Sequence, residues 1–174
     1  MASLPDGLAI VKSSVYDQYG LNLEDLELGK ESAEYEACSS KLNGYSIQHR
    51  TSKTTPTKTG QFTAIWKRNQ DGVTAPFDVS DDIDFMIITS KRGSHLGQFI
   101  FPKAILVEQG VISQHEKGGK RGIRVYPPWD IVSNKQAERS QNWQIRYFLN
   151  IGENGATDWA RLKKLLMLVP LENK

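Results

Sequence analysis

Apolar residues recur at helical spacing near the start of the chain and at strand spacing through its middle. Leu8, Val11, Val15 and Tyr19 follow one helix face behind Asp6, a capping residue, and Gly20 marks a stop, so the spacing predicts a helix over about 7–19. Beyond the acidic connector Glu24 to Glu31, Ser32 stands where it caps a second helix reaching about Leu42, with Asn43-Gly44 as its exit. Tyr45 to Thr51 and Gln61 to Arg68 read as strands, separated by the polar loop Ser52 to Gly60. In the second of these Phe62, Ala64 and Trp66 share a face, which assigns Trp66 to the core.

Residues 69–81 read as a loop, after which Ile83 to Thr89 and Gln98 to Phe101 form a hairpin across Lys91 to Leu96. Pro102 opens a short helix through about Gln109, and Ile123 to Tyr126 is a further strand ended by Pro127-Pro128. Ser133 caps a long helix through about Asn150, and an amphipathic helix runs from Thr157 to Met167. Gly-Gln-Phe occurs twice, at 60–62 and 97–99, each time opening a strand, which is a shared way of entering a strand rather than a duplication.

The order of elements predicts an α/β fold: a single domain, 1–174, with a mixed, largely antiparallel sheet flanked by helices. Residues 1–30 supply an N-terminal helix and acidic connector, 31–150 the core, and 151–174 a C-terminal helix. With 39% hydrophobic and 24% charged residues in 174, the chain is neither disordered nor fibrous and is long enough to bury a core. No basic region precedes an apolar stretch at Met1 to Pro5, and no run of eighteen apolar residues occurs, so a soluble, cytoplasmic protein with no membrane partner is expected. The lone Cys38 fits a reducing compartment and reads as a helix core thiol, because nothing near it in sequence supplies a base. His49, His95 and His115 are scattered over separate segments and read as surface or turn histidines rather than a metal site.

The formal net charge of +2 conceals an asymmetry. Residues 1–43 hold three lysines against eight acids, whereas 44–174 hold nineteen bases against twelve acids. From Gly44 to Gln70 there are five bases, Arg50, Lys53, Lys58, Lys67 and Arg68, and no acid, and Lys117, Lys120, Arg121 and Arg124 form a second cluster. Two such clusters favour a polyanionic partner, where either alone reads first as a solvated face. Gly118-Gly119-Lys120 lacks the spacing and the following Ser or Thr of a phosphate loop and reads as a basic turn.

Three runs carry a family resemblance: KTTPTKTGQFTAIWKR from Lys53, GQFIFPK from Gly97 and GKRGIRVYPPWD from Gly119. Together with KQAERSQNWQ from Lys135 they resemble the MepB family, from about Glu31 to Phe148. The resemblance implies a restriction-endonuclease-like core of the PD-(D/E)XK class and a role in binding nucleic acid, of single strands. In that class an Asp on one strand and an acid-x-Lys run on its neighbour hold a divalent metal at the scissile phosphate, since Mg²⁺ is a hard ion that draws on several oxygens.

A hairpin centred near residues 93 and 94 pairs positions whose numbers sum to about 187, which sets Asp84 opposite Lys103. The run at the matching place is Phe101-Pro102-Lys103: the lysine is kept and the second acid is replaced by Phe101. Glu34 or Glu36, on the predicted second helix, is the candidate to restore a carboxylate, with Asp84 the metal ligand; Asp81 and Asp82 near the strand entrance are further candidates that also read as a cap or turn, and the structural alternative for Asp84 is an ion pair with Lys103.

The leading expectation is therefore a nucleic-acid-binding protein, of DNA or RNA and of single strands, with a degenerate nuclease site and no required cofactor. Its contacts are Arg50, Lys53, Lys58, Lys67, Arg68, Lys120, Arg121 and Arg124, with Trp129 stacking and Gln141 adding polar contacts from the long helix. Two alternatives remain: a Mg²⁺-dependent nuclease using Asp84, Lys103 and a helix carboxylate, and a protein-binding regulator whose acidic first quarter meets a basic partner or folds over its own basic groove. Oligomeric state is not legible.

Overall fold

Phe85-Met86-Ile87-Ile88 is apolar at every position, the pattern of a strand covered on both faces, and it lies at the centre of the structure. In the computed structural model, which describes residues 3–152 and 157–171, it opens the strand Phe85–Arg92, and two hydrophobic clusters divide its side chains. Phe85 and Ile87 join one cluster, Met86 and Ile88 the other, as the two-residue period of a strand requires. Parts of the predicted terminal segments, Met1-Ala2, 153–156 and 172–174, lie outside the described residues.

The elements in chain order are helix α1 (Asp6–Val11), strands β1 (Leu23–Leu28), β2 (Cys38–Leu42), β3 (Tyr45–Thr51), β4 (Lys53–Thr54), β5 (Gln61–Ala64), β6 (Lys67–Arg68), β7 (Thr74–Ala75), β8 (Phe85–Arg92) and β9 (His95–Pro102), helix α2 (Lys103–Glu108), strand β10 (Gly122–Val125), helix α3 (Lys135–Gln144), strand β11 (Phe148–Asn150) and helix α4 (Trp159–Leu166). Six strands form one mixed sheet in the order β1-β2-β3-β8-β9-β11, antiparallel except for the parallel pair β3 and β8. A second, three-stranded sheet has the order β10-β5-β4, and β6 with β7 makes a small ribbon. The molecule is thus a single α/β domain. Residues of α1 and α4 fill one cluster, and those of α2 and β10 fill the other, with Trp143 of α3 packed against it.

The hairpin register is as expected: Phe85 pairs with Pro102 and Arg92 with His95, around the two residues Gly93 and Ser94. Other elements differ. The predicted second helix is a single 3-10 turn, Ala33–Tyr35, followed by β2, because Ser32 and Glu36 both adopt left-handed backbone (φ 57° and 52°) and interrupt any helix. Its Asn43-Gly44 exit is instead the turn of a β2–β3 hairpin, with both residues at positive φ. Cys38 is accordingly a buried strand thiol, its pKa pushed up to about 11 by burial. The acidic connector forms the edge strand β1, and charges there discourage pairing with another chain.

The first helix ends as an α-helix at Val11 and continues as a π turn, Lys12–Tyr16, in which the Asp17 amide donates to the Lys12 carbonyl at 2.8 Å. Helix α3 is capped by Asn134 rather than Ser133, and it gives way to a 3-10 turn and β11 because Phe148 and Leu149 are needed as a buried edge beside β9. The predicted strand 61–68 divides at Ile65-Trp66, and Trp66, expected in the core, is half-buried beneath the Arg68 guanidinium.

The repeated Gly-Gln-Phe has one physical explanation at both places. A Cβ on Gly97 would come within 2.1 Å of the Phe148 ring, and one on Gly60 within 2.8 Å of Tyr126. Both glutamines are buried and satisfied: Gln98 accepts from Tyr16 and donates to Thr89, and Gln61 accepts from Ser52 and donates to the Lys91 carbonyl. The first chain continues from Thr89 to His49, whose Nε2 lies 2.8 Å from the Thr89 hydroxyl. His49 is therefore no surface residue; burial, with Arg50 beside it, lowers its pKa to about 3.

That burial has a pH signature. An unfolded histidine takes up its proton near pH 6.5, while folded His49 stays neutral to about pH 3, so the unfolded state binds more protons across that interval and stability falls with falling pH. The expected slope from this residue is about 1.4 kcal/mol per pH unit. Urea denaturation between pH 6.5 and 5 should show a shallower loss in His49→Gln than in the parent chain; equal slopes would remove His49 from the account.

Candidate nucleic-acid interface

In the small sheet, Phe62 of β5 has Lys53 of β4 as its partner on one side and Arg124 of β10 on the other. Strand alternation buries Ile123 and Val125 and leaves Arg124 half-exposed, so this row lies on the outer face. The Arg124 guanidinium lies 6.0 Å from the Phe62 ring and donates to the Thr55 hydroxyl at 3.0 Å and the Thr59 carbonyl at 3.3 Å. Lys53 Nζ lies 5.6 Å from the ring of Tyr35, which meets Phe62 edge-on at 5.9 Å. Gly122 permits this arrangement, since a Cβ there would come within 2.4 Å of the Phe62 ring. Tyr35 was missed in the sequence because its segment read as a helix, whereas the aromatic and basic residues of β5 and β10 were legible.

The remaining expected cations separate into three kinds. Lys58 and Lys120 are exposed, and Arg121 is exposed with its guanidinium on the Thr74 hydroxyl and carbonyl. Lys67 and Arg68 are neutralised, by Asp81 at 2.7 Å and Glu31 at 2.6 Å. The second pair brings the acidic first quarter onto the chain's own basic region. Arg50 is a correction: it is 4% exposed, and its Nε and Nη1 donate to the carbonyls of Ala64 and His49.

Trp129 is half-buried, stacked on His95 with centroids 4.9 Å apart and planes at 12°, and met edge-on by Phe148. It borders an open cleft of about 1000 Å³ that Lys58, Arg92 and His95 also line. Gln141 does not reach this cleft's opening as a contact residue. Its Nε2 donates to the Pro127 and Asp130 carbonyls, both at 3.0 Å, and so fastens the loop that carries Trp129.

The nuclease-site candidates do not converge. Asp84 accepts the Ser46 amide at 2.7 Å, at the start of β3, while Glu36 accepts the Gly7 amide and the hydroxyl of Thr51, at the end of β3. Five strand residues separate these anchors, about 16 Å. Glu34 is exposed on the 3-10 turn beside Glu36. Phe101 is fully buried, stacked with Phe99 and tilted against Trp143. Lys103 follows Asp84 across the hairpin as expected, its amide donating to the Asp84 carbonyl, but its Nζ donates to the carbonyls of Val79 and Asp81 at 2.7 and 2.6 Å. No ion pair joins Lys103 to a carboxylate, and no cluster of three His, Cys, Asp or Glu able to hold a metal occurs, among the described residues. Among the described residues, then, Asp84, Glu34 and Glu36 are not gathered as a divalent ion requires, and Asp81 and Asp82 lie against Lys67 and Lys41.

Comparison with known proteins places this geometry. The family model described as MepB-like matches residues 29–150, and the crystal structure of MepB superposes with a TM-score of 0.73 at 32% identity, covering 84% of this chain and 97% of that one. The chain belongs to the MepB-like family. A bacterial homing endonuclease is also similar, with a TM-score of 0.44 and 13% identity over 92% of this chain and 88% of that one. No curated protein matches. The MepB-like region agrees closely with the span from Glu31 to Phe148 expected from sequence, and it holds every candidate site residue, while α1 and α4 lie outside it. No helix among the described residues is long and apolar enough to cross a membrane.

The environment of Lys103 makes a prediction that separates a structural from a metal-centred role. Lys103→Ala strands two carbonyls and should lower stability by roughly 1–3 kcal/mol in urea denaturation. Asp84→Ala and Lys103→Ala should show the same behaviour towards nucleic acid in Mg²⁺ as the parent chain, with no cleavage in any of the three. Cleavage by the parent that vanishes in Asp84→Ala would restore the nuclease alternative.

Proposed function

We propose that this MepB-like protein binds nucleic acid, preferring single strands, on a nuclease-like fold whose catalytic site is degenerate. The observation that carries the reading is the row Lys53, Phe62, Arg124. It joins the two basic clusters, which lie far apart in the sequence, on one outer face and interleaves them with the rings of Phe62 and Tyr35. Cations meet phosphates on a strand and aromatic rings stack unpaired bases, which a duplex keeps hidden. Thr54 at the end of β4 and Thr57 and Thr59 of the adjoining loop add hydroxyl donors of the kind that fix a phosphate backbone in place. Binding needs no metal or cofactor in this reading, and the distinction between DNA and RNA falls to experiment.

About five phosphate contacts imply a slope of log affinity against log salt near −3.5 for single strands, or roughly a hundredfold loss between 50 and 200 mM. Arg124→Ala and Lys53→Ala together should lower that slope by about 1.4 without unfolding the protein. Fluorescence anisotropy with a labelled single strand measures both. Affinity that ignores salt, or a double variant that binds like the parent, would rule out this face.

A further inference from the structure

Arg50 is a buried cation without an anion. Its side chain is buried at the end of β3, no carboxylate pairs with it among the described residues, and its pKa is lowered to about 10 by burial. Nε donates to the Ala64 carbonyl at 3.2 Å, and Nη1 to the His49 carbonyl at 2.8 Å and to Gln48 Oε1 at 3.3 Å. The Phe77 ring lies 5.9 Å from the guanidinium. Nη2 has no hydrogen-bond partner among the described residues. Removing a guanidinium from water is costly unless a charge of opposite sign and further hydrogen bonds compensate it, and here only neutral oxygens do so.

The side chain is not sealed in. Arg50 borders a cleft of about 730 Å³ open between the edge strand β1, its neighbour β2 and the segment 66–68. Gln48, Ser39 and Trp66 line the same cleft and bring further polar groups to it. Lys67 and Arg68 at its rim are neutralised by Asp81 and Glu31, and Glu27 and Glu31 occupy the rim towards β1. Lys30 lines the cleft too, and among the described residues neither it nor Arg50 at the floor is held in an ion pair; a planar guanidinium with a free N–H suits a tetrahedral oxyanion.

The geometry points to this cleft as a phosphate-binding site, in which a phosphate group takes the place of the missing carboxylate on Arg50. The group comes either from a strand terminus or from a small phosphate compound. The strand source rests on the nucleic-acid reading above, whereas binding of phosphate itself does not.

Gln48→Glu supplies the test, because it puts a carboxylate on the atom that already accepts from Arg50. This variant should melt higher than the parent and lose its response to phosphate. The parent should gain roughly 2–4 °C in 50 mM inorganic phosphate over chloride at equal ionic strength, for a Kd of about 10 mM. Lys53→Ala with Arg124→Ala should keep that gain, since both lie on the small sheet. A 5′-phosphorylated oligonucleotide that binds the parent more tightly than its 5′-hydroxyl form, but not the Gln48→Glu variant, identifies the strand terminus as source; equal binding with the thermal gain intact identifies a small phosphate compound. A parent chain that gains no more from phosphate than from chloride, or a Gln48→Glu variant that gains as much as the parent, overturns the site while leaving strand binding by the small sheet untouched.

Discussion

Parallel pairing of β3 with β8 forces the intervening chain to leave the large sheet where β3 ends and re-enter it at the opposite end, where β3 began, and the rest of the molecule follows from that crossover. Most parallel pairs make the return through a helix. Here the return is made of strands: β4 and β5 pair with each other, β10 adds to β5, and the resulting sheet covers one face of the larger one through Ile123 and Val125. The outer face of a sheet whose inner face is committed to the core is free to carry polar chemistry. That is where Lys53, Phe62 and Arg124 align.

Much of this was legible in the sequence, and the failures have physical causes. The β8–β9 hairpin could be registered from its loop because a two-residue turn fixes every pair along it, and the apolar run Phe85 to Ile88 left no alternative. The segment from Ser32 to Leu42 was misread because its alternation, now visible in Cys38 to Leu42, is short and polar, and because left-handed backbone at Ser32 and Glu36 involves residues with no strong preference for it. Asn43-Gly44 carried the hairpin signal and was assigned to a helix end, where the same pair is also found. The parallel register of β3 and β8 depends on contacts distant in sequence and left no local trace.

The candidate site divides along a similar line. Sequence identifies charged residues but not what compensates them. Arg50, Lys67 and Lys103 each looked available, yet Arg50 is tied to carbonyls, Lys67 to Asp81 and Lys103 to the 79–81 loop. Glu36 looked like a displaced catalytic acid and instead fastens α1 to the end of β3. Such groups are held where burial makes an unmet hydrogen bond expensive, so they stabilise loops and helix starts before they can serve chemistry. Lys53, Lys58 and Arg124 remain within reach of solvent, around aromatic rings.

The central claim is that a single strand lies across the outer face of the small sheet. Backbone amide chemical shifts, followed during titration with a short single-stranded oligonucleotide, address it residue by residue. The account predicts perturbations centred on Lys53, Phe62, Gly122 and Arg124 and on the loop from Thr54 to Thr59, with little change at Asp84 and Lys103. Perturbations gathered around Asp84 and Lys103, with the small sheet silent, would contradict it.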